Sequence, residues 1–87
     1  MTKEGLRHEN VGTCSRAVRF DIVDDKVTNV RFEGGCHGNT QGVAALVEGM
    51  DVNEAIKRMK GIDCQARGTS CPDQLAKGLE DAVEGRL

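Results

Sequence analysis

Ala17-Val18-Arg19-Phe20-Asp21-Ile22-Val23-Asp24-Asp25-Lys26-Val27-Thr28-Asn29-Val30-Arg31-Phe32-Glu33 is the stretch that decides the fold. Apolar and polar residues alternate on both sides of a charged centre, the period of a half-buried strand. Val18, Phe20 and Ile22 point one way, Arg19 and Asp21 the other. Asp24-Asp25-Lys26 reads as a polar turn. Beyond it, Val30 and Phe32 face inward, while Asn29, Arg31 and Glu33 face outward. The whole is a β-hairpin with a short loop.

Downstream, the period changes. Gly34-Gly35-Cys36-His37-Gly38-Asn39 ends the hairpin, and its three glycines permit backbone angles that other residues resist. Asn39 or Thr40 can cap a helix whose apolar stripe is Val43, Leu46, Val47 and Met50. Asp51 or Asn53 can start a second helix, with Val52, Ala55, Ile56 and Met59 on one face and Gly61 as its stop. Residues 62–68 read as a loop carrying Cys64. A third helix opens at Thr69-Ser70-Cys71-Pro72-Asp73. Ser70 suits the N-cap, Pro72 the first turn, and Asp73 a short capping box. Leu75, Leu79, Ala82 and Val83 form its buried face. Upstream, residues 1–13 hold few apolar side chains, and Leu6 and Val11 suit either an edge strand or a mobile arm.

Strands followed by helices predict one α+β domain over residues 1–87: a small antiparallel sheet of two or three strands, with about three helices on one face. The 87 residues include only two aromatics, Phe20 and Phe32, so the core rests on aliphatic side chains. A core this thin often needs a metal, a disulfide or a second subunit, which makes a homodimer one expectation. Net charge is −2 with no basic run, a balance that gives no footprint for nucleic acid. The polar start MTKEGLRHEN has no secretory apolar region, and no apolar stretch is long enough to span a membrane. The expected location is the cytoplasm. Thiols stay reduced there, so four cysteines suggest metal or redox chemistry.

Each cysteine falls at an element boundary rather than inside a periodic segment. Cys14 precedes the first strand of the hairpin, Cys36 follows the second, Cys64 lies between helices, and Cys71 opens the last helix. Exposed amides and the helix dipole favour anionic sulfur at a helix N-terminus, which places Cys71, and Cys36 before the first helix, where thiolate is stabilised. His37 is a candidate fourth ligand and Asp73 a candidate oxygen ligand. His8 reads as an exposed polar residue. Spacing alone does not define a zinc finger, since six residues separate Cys64 from Cys71 and no C-x2-C occurs.

Two resemblances add to this. Thr69-Ser70-Cys71-Pro72-Asp73 spells TSCPD, and from about Cys14 to Val83 the chain resembles the TSCPD domain family. That family includes small standalone proteins and a cysteine-bearing segment at the C-terminus of some vitamin B12-dependent ribonucleotide reductases. The resemblance implies a relation to ribonucleoside-diphosphate reductase. This chain is too short for a catalytic barrel, a radical site and a nucleotide site, so an accessory is expected rather than a stand-alone enzyme. The segment Val27–Cys36 and the helix after it resemble the NifU-type iron–sulfur cluster scaffold. That likeness implies three cysteines, here Cys14, Cys36 and Cys71, meeting at one end of the domain. It departs from the scaffold in two places: Thr13 and Ser15 flank Cys14 where an acidic residue would stand, and Cys64 is extra.

Three functional readings follow. The first is a metal site for zinc or an iron–sulfur cluster, with Cys14, Cys36 and Cys71 as ligands and Cys64 or His37 completing the shell. Its partner would be a reductase or a cluster-recipient protein. The second is a thiol–disulfide module in which Cys64 and Cys71 exchange and Cys71 attacks. The third is a flavin or nucleotide site, with Gly34, Gly35, Gly38 and Asn39 cradling a phosphate at a helix N-terminus.

Overall fold

The computed structural model describes residues 1–35, 37–64 and 66–87, with His37 placed through its backbone. Cys36 and the side chain of His37, both candidate ligands, therefore lie outside what is described. Three strands, β1 (Lys3–Glu9), β2 (Ser15–Val23) and β3 (Lys26–Gly34), precede three helices, α1 (His37–Val47), α2 (Val52–Met59) and α3 (Cys71–Val83). The sheet is antiparallel with order β1-β2-β3, so the expected α+β class holds and residues 3–9 take the edge-strand alternative.

The hairpin turn is tighter than its polar run suggests. Val23 pairs with Lys26, which leaves Asp24 and Asp25 as a two-residue loop. Both have positive φ, 50° and 65°, the signature of a turn whose twist matches the strands on either side. Lys26 thus belongs to β3. Alternation also breaks within β3. Asn29 has φ 55° and the β2–β3 register shifts between Arg19 and Asp21. Val27 and Val30, three residues apart, are consequently both buried. Asn tolerates this left-handed backbone, and the Asn29 N–H donates to Glu48 Oε1 at 2.9 Å.

One face of the sheet carries the core. Val18, Phe20, Ile22, Val27 and Val30 pack against Val52, Ala55 and Met59 of α2 and Leu75, Ala76, Leu79 and Ala82 of α3. Asp51 caps α2 by accepting from Glu54 N at 3.1 Å. The close approach of β1 to α3 depends on Gly78. A Cβ there would lie 2.8 Å from His8 Cβ and 3.2 Å from Phe20 Cε1. At the far end of α3, Lys3 Nζ donates to the carbonyls of Ala82 (2.8 Å) and Leu87 (3.2 Å), placing a cation where the helix dipole favours it. On the outer face, Glu33 bridges two arginines: Arg7 Nε at 3.0 Å and Arg19 Nε at 2.7 Å. These contacts, the Arg7 hydrogen bond foremost, hold the Glu33 carboxyl down at about 2.

The stripe expected on α1 is only partly used. Val47 is buried, but Leu46 is 78 % exposed. The α1 face is left short of a covering element, so Val43, Leu46, Val47, Met50, Arg58, Met59, Ile62 and Pro72 line an open, mainly apolar groove of about 420 Å³.

Candidate functional site

Ser70 has extended backbone and caps α3, its Oγ accepting from Asp73 N at 3.1 Å. Cys71 follows as the first helical residue, with Pro72 in the first turn. Around Cys71, the other polar residues of this stretch turn inward. Asp73 is 2 % exposed and accepts from Gly61 N (2.7 Å), Thr69 Oγ1 (2.5 Å) and Lys77 Nζ (3.1 Å). Burial opposes its ionisation, yet the Thr69 hydroxyl, the Gly61 amide and the Lys77 ammonium outweigh that and hold the carboxyl below its ordinary value. Asp73 therefore ties the end of α2 to the start of α3. Ser70 makes its half of the expected capping box with the Asp73 N–H, while the Asp73 carboxylate is engaged by Gly61, Thr69 and Lys77.

Gln74, also buried, extends the network toward β1. Its Nε2 donates to Thr69 Oγ1 at 2.9 Å, and its Oε1 accepts from Val11 N at 3.1 Å. His8 Nε2 lies 3.2 Å from the same oxygen, so Nε2 carries the proton there. His8 is half-buried, where the sequence suggested an exposed residue. Through Gln74, the loop that carries Cys14 is pinned against the opening of α3.

Cys64 arrives from the other side. Its N–H donates to Thr69 O (3.0 Å), Arg67 N donates to Cys64 O (3.1 Å), and Gly68 N to Asp63 Oδ1 (2.5 Å). These bonds fold the loop back on itself. Cys14, Cys64 and Cys71, with Gly12, Thr13, Arg67, Thr69 and Ser70, line one hollow of about 20 Å³. That volume takes about one water-sized occupant. Cys14 and Cys64 are exposed and Cys71 is half-buried. Among the described residues, no group of three or more His, Cys, Asp or Glu is placed so that it could hold a metal ion.

The glycine run before residue 36 has a structural role of its own. Gly34 pairs with Ser15, and Gly35, at φ 87°, passes so close that a Cβ would lie 3.1 Å from Ser15 Cβ and 3.2 Å from Ser15 N. Gly38 and Asn39 lie exposed in the first turn of α1. Ser15 itself escaped sequence reasoning. It is 1 % exposed, and its Oγ lies 3.0 Å from Cys71 Sγ. The one signal was its place beside Cys14 in Thr13-Cys14-Ser15.

The family model of the TSCPD domain matches residues 1–83. The chain belongs to the TSCPD domain family. No curated protein and no solved structure matches it significantly. In this TSCPD domain the signature residues divide by role. Thr69, Ser70 and Asp73 hold α3 against its neighbours, Pro72 suits the first turn, and Cys71 lines the hollow. Among the described residues, no helix is long and apolar enough to cross a membrane.

Proposed function

We propose that this TSCPD domain binds a soft metal, zinc or an iron–sulfur unit, through cysteine sulfur at the opening of α3. The observation that carries the reading is the shared hollow: Cys14, Cys64 and Cys71, from three separate parts of the chain, line one small space. A sulfur-only donor set suits Zn²⁺ or iron–sulfur chemistry and disfavours Mg²⁺ and Ca²⁺. Cys14, Cys64 and Cys71 are the proposed ligands, with Cys36 as the fourth. Under this reading the domain is an accessory that delivers or keeps its metal for a partner, a reductase or a cluster-recipient protein. The test is metal analysis of protein purified without oxygen. Near-stoichiometric zinc or iron is expected, and its loss in Cys71→Ser. A folded wild-type protein without either metal overturns the reading.

A second reading rests on Cys64 and Cys71 bordering the same hollow on either side of the turn closed by Cys64 N and Thr69 O. In it, Cys71 thiolate attacks a partner's disulfide and expels one partner thiolate, forming a mixed disulfide. Cys64 thiolate then attacks Cys71 Sγ and expels the second partner thiolate. The partner gains two electrons and the domain retains a Cys64–Cys71 disulfide, which an external dithiol reduces. Thiol counting after mild oxidation tests it: a reversible loss of these two thiols without metal release supports exchange, and no such loss refutes it.

A further inference from the structure

Three groups surround the Ser15 hydroxyl besides its own backbone, and proton counting orders them. Asn10 Nδ2 lies 2.8 Å from Ser15 Oγ, and an amide nitrogen only donates, so the oxygen accepts there. Thr13 Oγ1 donates its one proton to the Ser15 carbonyl at 2.9 Å, so toward Ser15 Oγ, 3.3 Å away, it can only accept. Ser15 has a single proton of its own. Its choices are Thr13 Oγ1 at 3.3 Å and Cys71 Sγ at 3.0 Å. Sulfur is the larger atom, so the shorter distance marks much the closer contact.

We infer that Ser15 is a positioning residue for Cys71: its buried O–H donates to Cys71 Sγ, and the Asn10 amide holds the hydroxyl in that orientation. The inference rests on the reading of Cys71 as a metal ligand and deepens it. A donor behind a ligand sulfur orients the lone pairs that remain and spreads the charge of the metal–sulfur bond. Loss of such a supporting bond typically lowers metal affinity about 10- to 100-fold. Gly35 is part of the same arrangement, because only a residue without Cβ lets the end of β3 pass over Ser15.

The experiment compares full-length wild type with Ser15→Ala in two measurements. Metal-free, reduced protein is treated with iodoacetamide at pH 7, and alkylation of the Cys71 peptide is followed by mass spectrometry, with the Cys64 peptide as internal reference. Losing a donor to charged sulfur should slow Cys71 by about fivefold relative to Cys64. Zinc affinity, by competition with a chromophoric chelator, should fall about 10- to 100-fold. Unchanged alkylation overturns the inference because Ser15 then gives nothing to the sulfur, and faster alkylation overturns it because the thiol then donates to Ser15 instead. If wild type binds neither zinc nor iron while Cys71 alkylation still slows in Ser15→Ala, the hydrogen bond stands and the metal reading fails. If zinc binds equally to both and alkylation is unchanged, the metal reading stands and Ser15 has no part in it. Should Ser15→Ala not fold, the infrared S–H band of metal-free wild type, recorded at a pH low enough to keep the thiol protonated and identified by its loss in Cys71→Ser, decides. An unshifted band supports donation by Ser15, and a band lowered by S–H donation overturns it.

Discussion

Asp73→Asn keeps the shape of the side chain and removes only its charge and one acceptor, which makes it the sharpest probe of how the signature stretch is held. The carboxylate now accepts from Gly61 N, Thr69 Oγ1 and Lys77 Nζ. An amide has one oxygen and one NH₂. If the oxygen stays toward Gly61, the NH₂ faces the Lys77 ammonium and the Thr69 O–H, which loses the acceptor of its proton. Turned over, the NH₂ meets the Gly61 N–H. Either orientation opposes donor to donor. A charge-assisted hydrogen bond contributes about 1.5–3 kcal/mol, and a buried donor left unmet costs about 1–3 kcal/mol more. The half-exposed Lys77 adds little, because solvent screens it. The expected loss is roughly 3–4 kcal/mol, which lowers Tm by roughly 12–30 °C in a domain of this size. Thermal and urea unfolding followed by far-UV circular dichroism, in chelator so that metal does not contribute, measures it. A variant within about 0.5 kcal/mol of wild type, the usual range for surface changes, would refute the argument that Asp73 joins α2 to α3.

Cys71→Ser should behave in the opposite way: in chelator its stability stays within about 1 kcal/mol of wild type, while zinc or iron content in metal-replete protein drops to background, as unfolding curves and metal analysis would show. Gly78→Ala sets helix propensity against packing. Alanine favours the helix by about 1 kcal/mol, but the new methyl would meet His8 Cβ at 2.8 Å, and overpacking costs about 1–3 kcal/mol; a lowered Tm is expected, and a raised one would show that β1 and α3 separate freely. The Glu33 carboxyl should titrate near 2 by NMR and move up toward its ordinary range in Arg7→Ala. Because the folded value lies below the unfolded one, the stabilisation from this ion pair is complete above pH of about 4.3 and is lost as pH falls toward 2; salt should weaken it, since the group is at the surface.

The hairpin and the order of elements were legible because they rest on local rules. Alternation in residues 17–23, a polar turn beginning at Asp24, a cap at Asp51 or Asn53, the Ser70 cap and the apolar faces of α2 and α3 each depend on residues within a few positions of one another. Where β3 departs from strict alternation, the cause is the left-handed Asn29, and nothing in the spacing of Val27, Val30 and Phe32 announces it. The period puts Leu46 in the apolar stripe of α1, but period alone does not say whether another element arrives to cover it.

The site divides in the same way. That Cys14, Cys64 and Cys71 sit at element ends is written in the chain, and so is the helix start that carries Cys71. Their meeting at one hollow is a tertiary fact: it requires Gln74 to bind the backbone at Val11 and the 64–69 loop to close on Thr69. Ser15 beside Cys71, 56 residues away in the chain, was invisible for the same reason. Sequence patterns record what a residue does to its neighbours along the backbone, and the polar contacts that bring distant sulfur together are made only once the sheet and α3 have packed.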